Sequence, residues 1–97
     1  MIMTLTVKGA DFTEGEVWAT VNYALQNGAV LARLRRDHFH SLCLEFERKH
    51  GLTSEEFLEK FERGEQGDQA DYFDWYAAKR GADLWARRHD ILVQVEV

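Results

Sequence analysis

The sequence predicts a mostly helical α+β domain with a short N-terminal strand, four or five helices and a short C-terminal strand. Apolar residues recur at helical spacing along most of the chain, whereas apolar and polar residues alternate near both termini. Ninety-seven residues suit one domain, 1–97, which we divide into a half spanning 1–50 and a half spanning 51–97. Since 45% of the residues are hydrophobic, the chain can form a core.

Both predicted strands rest on alternation. Residues 3–8 alternate between apolar and polar side chains, as do residues 91–97, whose sequence is ILVQVEV. Two such strands can pair within one chain or between two chains, and both arrangements remain open.

Capping residues and glycines set the predicted helices of the first half. Thr13 is suited to an N-cap, and Asn27-Gly28 is typical of a helix end. We therefore expect one helix from Thr13 to Gly28 and a second over residues 29–50, with Gly51 as its stop.

The second half has a stronger start signal. Thr53 and Glu56 form a capping-box pattern, which predicts a third helix that Gly64 ends. Asp68 is expected to cap a fourth helix, which Gly81 either breaks or weakens.

Negative charge is concentrated in the second half. The formal net charge is −5, and residues 1–50 are balanced, so the whole excess lies in residues 51–97. Within residues 55–74, eight acidic residues face only Lys60 and Arg63. Such an acidic segment repels nucleic acid and attracts a basic partner.

Other function classes have little support. The chain begins without the basic and apolar regions of a signal peptide and has no long apolar run, so we expect a cytoplasmic protein without a membrane anchor. The single cysteine, Cys43, has histidines nearby in sequence, but their helical spacing does not make a metal site, and no phosphate loop or nucleophile motif is present. We therefore predict no metal, no cofactor and no enzymatic activity.

The acidic segment is also rich in aromatic residues, and rings rimmed by carboxylates favour binding to a basic protein surface. The residues that we expect to contact such a partner are Glu62, Glu65, Asp68, Asp71, Tyr72, Asp74, Trp75 and Tyr76.

Residues 46–80, FERKHGLTSEEFLEKFERGEQGDQADYFDWYAAKR, resemble small prokaryotic antitoxins of type II toxin–antitoxin modules. The most specific part of the resemblance runs from Gly64 through Gly67-Asp68 to Trp75. It implies a strand–helix–helix N-terminal half like that of ribbon-helix-helix repressors, which dimerise through the strand and bind operator DNA.

We therefore expect an antitoxin-like protein that binds and neutralises a basic toxin, with carboxylates replacing phosphates and rings replacing bases. A homodimer is expected, with operator DNA as a further partner contacted by Thr4, Thr6 and Lys8. The alternatives are a stand-alone acidic inhibitor or adaptor that resembles nucleic acid, and a small enzyme that uses Cys43 and a histidine.

Overall fold

The computed structural model describes residues 6–9, 11–67 and 69–96 and contains three helices in this part of the chain. Helix α1 spans Glu14–His50, α2 spans Ser54–Glu62 and α3 spans Ala70–Gln94. None of these helices is both long enough and apolar enough to cross a bilayer.

Helices α1 and α3 form an antiparallel hairpin. The side chain of Leu92 lies against Gly28, Phe39 lies against Gly81, and Lys49 pairs with Asp71 at the other end. The molecule is 58 Å long and about 22 Å across, because α1 alone spans about 55 Å at 1.5 Å per residue. Since Leu92 lies against Gly28 and α3 ends two residues later, most of α1 from Glu14 to Asn27 extends beyond α3.

The two ends of the hairpin differ in how many helices meet there. The closed end comprises residues 46–76, where α2 packs across the junction of α1 and α3. The open end comprises residues 14–34 of α1, together with the last turn of α3, residues 91–94. The side chains of Val7 and Phe12 lie beside α1 at the open end and line an open groove of about 610 Å³ there.

The predicted α+β class is wrong, because residues 6–9, 11–67 and 69–96 contain no strand. Residues 3–5 of the predicted N-terminal strand lie outside the described part of the chain, and residues 6–8 are not in a strand. Residues 91–94 of the predicted C-terminal strand form the last turn of α3. The alternation of these residues was misleading because α3 continues along α1 to this point, where Leu92 contacts Gly28.

The predicted number of helices is also wrong, because two glycines that were expected to end or weaken helices lie inside them. A Cβ atom at Gly28 would be 3.4 Å from the Leu92 side chain, and one at Gly81 would be 2.9 Å from the Phe39 ring. Gly81 therefore lets α1 and α3 approach closely, whereas Gly28 is tolerated inside α1 because the packing of α1 on α3 outweighs the cost of about 1 kcal/mol for glycine in a helix. Predicted helices one and two are the single helix α1, and the predicted helices on either side of Gly81 are α3.

The caps of α1 and α2 are confirmed. Thr13 and Glu16 form a reciprocal capping box at the start of α1. At the start of α2 the Thr53 hydroxyl accepts a hydrogen bond from the Glu56 amide, but the return bond of the predicted capping box, from the Thr53 amide to the Glu56 side chain, does not form in the described part of the chain. Gly51 ends α1 in the left-handed conformation. The predicted cap Asp68 lies outside the described residues, and Gln69 is the N-cap of α3 without a side-chain cap bond.

Candidate functional site

The closed end is built around Trp75, which is completely buried together with Phe57. Their rings are parallel and stacked, with centroids 3.9 Å apart. His50 and Phe46 of α1 stack on Trp75 at 5.3 Å and 5.9 Å. Each of the three helices thus contributes at least one ring to a single aromatic cluster, which fixes α2 against the hairpin.

A buried hydrogen-bond network crosses this cluster. The indole Nε1–H of Trp75 donates to the Ser54 hydroxyl at 2.9 Å, and that hydroxyl donates to Glu47 Oε2 at 2.7 Å. The Ser54 amide donates to the same carboxylate oxygen at 3.0 Å. One carboxylate of α1 therefore satisfies two donors of the first residue of α2, while the indole is also satisfied.

Asp71, at the start of α3, is held by two basic groups of α1. Lys49 forms an ion pair with its carboxylate, and His50 Nε2 lies 3.2 Å from the same oxygen. The hydrogen bond from Lys49, with a smaller contribution from His50, lowers the pKa of Asp71 below its ordinary value. This predicted contact residue is therefore engaged within the chain.

A second ion-pair group joins α2 to α3. The Lys79 ammonium lies 3.2 Å from Glu55 and 3.0 Å from Asp83, and its side chain is only 13% exposed. Burial by itself lowers the pKa of Lys79, but the hydrogen bonds to Asp83 and Glu55 outweigh burial and raise it overall. The backbone amide of Glu55 and the bond from Lys79 lower the pKa of Glu55.

The remaining carboxylates of the acidic segment face solvent. Glu59 and Glu65 both pair with Arg63, at 3.3 Å and 3.2 Å. Three exposed carboxylates of this segment form no ion pair with any described residue, namely Glu56, Glu62 and Asp74. These three carboxylates are therefore available to an external cation. Asp68 lies outside the described residues.

The closed end also exposes aromatic rings. Phe73 is 56% exposed and contacts Phe61 edge-on with centroids 5.6 Å apart, while Tyr76 is half-buried at 5.0 Å from Phe61. Phe73 is absent from the predicted contact set, although its position two residues before Trp75 places it on nearly the opposite side of α3. Residues i and i+2 of a helix point about 200° apart, so burial of Trp75 implies exposure of Phe73. This rotation is the signal that could have placed Phe73 in the predicted contact set.

Two predicted aromatic contacts lie deeper than a partner surface. Trp75 is 0% exposed, so its ring supports α2 from within the core. Tyr72 is half-buried between His50 and Phe57. The exposed part of the predicted site is accordingly formed by Glu62, Glu65 and Asp74, with half-buried Tyr76 beside them.

The predicted DNA-contacting residues are not arranged as a ribbon in the described part of the chain. Thr4 lies outside it, and Thr6 and Lys8 are exposed in non-helical chain that precedes α1. Because neither residue is in a strand, the two-stranded ribbon on which the operator-binding hypothesis depended is not supported at residues 6–8.

Cys43 lines a groove of about 340 Å³ between α1 and α3, where His40 and Lys79 also lie. The thiol itself is only 2% exposed. Burial raises the pKa of the Cys43 thiol despite a hydrogen bond with Ser54, which opposes formation of a nucleophilic thiolate. Across residues 6–9, 11–67 and 69–96, no three histidine, cysteine or acidic side chains are grouped so as to hold a metal ion.

Comparisons of the chain with protein-family models, curated proteins and solved structures found no match.

Proposed function

We propose that this chain is an antitoxin-like protein-binding module whose closed end binds a basic partner protein. The observation that carries the proposal is that the closed end exposes three carboxylates without an ion pair among the described residues, Glu56, Glu62 and Asp74, and also exposes the ring of Phe73. Carboxylates around an exposed aromatic residue suit a positively charged protein surface, since the ring supplies contact area and the charges supply orientation.

The rigidity of the closed end supports the same proposal. Trp75, Phe57 and the Ser54–Glu47 network hold α2 in one position on the hairpin, so the carboxylates of α2 are presented without a large ordering cost on binding. In this proposal the partner contacts Glu56, Glu62, Phe73, Asp74 and Tyr76. The buried Trp75 does not contact the partner but holds α2 in place through its stacking on Phe57.

The partner that we propose is a toxin whose basic surface handles RNA. Its cationic groups would meet carboxylates in place of phosphates, and its base-stacking surface would meet Phe73 and Tyr76. A toxin of this kind acts in the cytoplasm, so the proposal includes a cytoplasmic location.

The test is co-expression with the basic protein encoded beside this chain in its source genome, with cell growth as the readout. The wild-type chain is expected to restore growth, and a variant carrying Glu56→Lys, Glu62→Lys and Asp74→Lys is expected to lose that effect. A purified complex should also weaken at least tenfold as ionic strength rises from low to high.

The matched control makes the same change in net charge at the opposite end of the molecule, with Asp11→Lys, Asp90→Lys and Glu96→Lys. These three carboxylates are also exposed. Neutralisation that survives the closed-end substitutions, or that both triple variants lose equally, would contradict binding through the closed end.

A further inference from the structure

The open end is unusual because α1 carries no charged residue from Val17 to Ala32. The whole chain has 29 charged residues among 97, so 16 consecutive helical residues without one stand apart from the remainder. A helix that faces water on most sides ordinarily carries charges on its solvent face. This segment therefore has the composition of a helix that is covered on more than one side.

The face of α1 turned away from α3 is apolar as well as uncharged. Tyr23, Asn27, Val30 and Leu34 follow one another at intervals of four, three and four residues. The exposed fractions of Tyr23, Val30 and Leu34 are 66%, 49% and 56%. Ala32 is fully buried toward α3, and the helical rotation per residue places these three side chains on roughly the opposite side of α1 from it. The stripe consequently has the spacing of a helix–helix seam, on the side that α3 cannot cover.

The overhanging part of α1 also receives little packing from α3. The Thr13–Glu16 capping box stabilises its start, but most of the stability of a protein helix comes from the packing of its faces against other elements. Residues 20–23, Thr-Val-Asn-Tyr, are weaker helix formers than alanine. Packing against another surface would supply the missing stability.

The charges that flank the uncharged segment indicate what that surface is. Glu14 and Glu16 precede it, whereas Arg33, Arg35 and Arg36 follow it. If two copies of α1 pair antiparallel about the middle of the segment, Glu16 lies opposite Arg33 of the other copy, whereas Arg35 stays on the α3 side, where its guanidinium lies over the Trp85 ring. A parallel pairing would instead align like charges.

We propose that a second copy of this chain binds along the outer face of α1, with the two α1 helices antiparallel and Tyr23, Val30 and Leu34 in the interface. The closed ends then point away from each other, so each remains free to bind its own partner. This inference goes beyond the proposed partner-binding function and uses a different surface.

The first test compares two leucine substitutions on the same helix by sedimentation equilibrium of the full chain. The wild-type protein is expected to form a dimer of twice the 11.3 kDa chain mass. Leu34→Glu removes an apolar contact and places a carboxylate near the acidic flank of the other copy, so we expect its dimer dissociation constant to rise at least tenfold.

Leu44→Glu is the matched control, because Leu44 is an exposed leucine of α1 that lies toward the closed end. It is expected to change the dissociation constant less than threefold. A wild-type protein that is monomeric at all accessible concentrations would overturn the proposal, as would equal weakening by both substitutions. Circular dichroism of both variants shows whether α1 remains folded, and Val30→Glu gives a second interface variant should Leu34→Glu unfold.

The second test measures the orientation of the two chains. A spin label is attached through Glu45→Cys, at an exposed position of α1 between the uncharged segment and the closed end. The native Cys43 is buried, so the labelling reagent does not reach it. The antiparallel dimer predicts an inter-label distance of roughly 60 Å, from 1.5 Å per residue. A distance below about 25 Å would indicate parallel pairing and would contradict the proposal, since labels on parallel helices lie within a few side-chain lengths of each other.

Discussion

The closed and open ends of the hairpin contain similar kinds of apolar residue in different surroundings. At the closed end Phe57 and Trp75 are fully buried, because three helices meet there. At the open end Tyr23 and Leu34 are more than half exposed, because no described element covers the outer face of α1 there. The comparison shows that an amphipathic pattern identifies which residues are apolar on one face of a helix, whereas the number of helices that meet determines which of these residues are buried.

The two ends also differ in charge, and this difference underlies the two partners that we propose for them. The closed end presents exposed carboxylates around a rigid aromatic core, which suits a cationic protein surface. The open end carries no charge between Val17 and Ala32 and is flanked by opposite charges, which suits a second copy of itself. The two proposed partners use different surfaces, so the proposal predicts no competition between them.

The largest expected contrast between the ends comes from truncating one ring at each. Phe57→Ala removes a fully buried ring that stacks on Trp75, and we expect it to lower the free energy of unfolding by about 3–5 kcal/mol. Tyr23→Ala, in solution dilute enough to contain monomers, is expected to change it by no more than about 0.5 kcal/mol. Urea denaturation measures both, and equal losses would show that the open end is packed as tightly as the closed end.

A smaller effect distinguishes the two glycines at the α1–α3 contact. In Gly81→Ala, a Cβ atom 2.9 Å from the Phe39 ring outweighs the gain in helix propensity, so we expect a loss of about 1 kcal/mol. In Gly28→Ala, near the open end, the contact with Leu92 at 3.4 Å is ordinary, and we expect a gain of about 0.5–1 kcal/mol. Thermal unfolding of both variants checks the signs, and a stabilising Gly81→Ala would mean that Phe39 moves without cost.

The smallest expected effect is the pH dependence that Asp71 gives to the closed end. Because folding lowers the pKa of Asp71, its ion pair with Lys49 stabilises the fold above the unfolded-state pKa of about 3.9 and ceases to do so as pH falls through the lower folded-state value. Asp71→Asn should therefore lower the free energy of unfolding at neutral pH, with a difference from wild type that shrinks below about pH 4.

Urea denaturation between acidic and neutral pH measures this dependence. Lys49→Met removes the other member of the pair and should reproduce most of the effect, since Lys49 is the main cause of the lowered pKa. A difference between Asp71→Asn and wild type that stays constant across this range would show that the carboxylate is not stabilised by the fold.

The local features of this protein could be predicted from neighbouring residues. Thr13 and Thr53 were identified as N-caps and Gly51 as a helix stop, because these signals act through hydrogen bonds and dihedral angles within a few residues. The acidic segment was equally visible, since counting charges requires no coordinates. Of the predicted contact set, Glu62, Glu65 and Asp74 are exposed as a partner surface requires.

The way in which the local features combine depends on contacts between the helices. Gly28 looks like a helix end in the sequence, and Gly81 looks like a helix break or a weak point, yet both lie inside helices that pack along each other, and at Gly81 the absent side chain makes room for Phe39. The alternating residues 91–94 look like a strand, yet they are helical because α3 continues along α1. Trp75 looks like a surface anchor among carboxylates, yet α2 covers it. For the glycines and for residues 91–94, contacts between residues distant in sequence outweighed a local preference of about 1 kcal/mol.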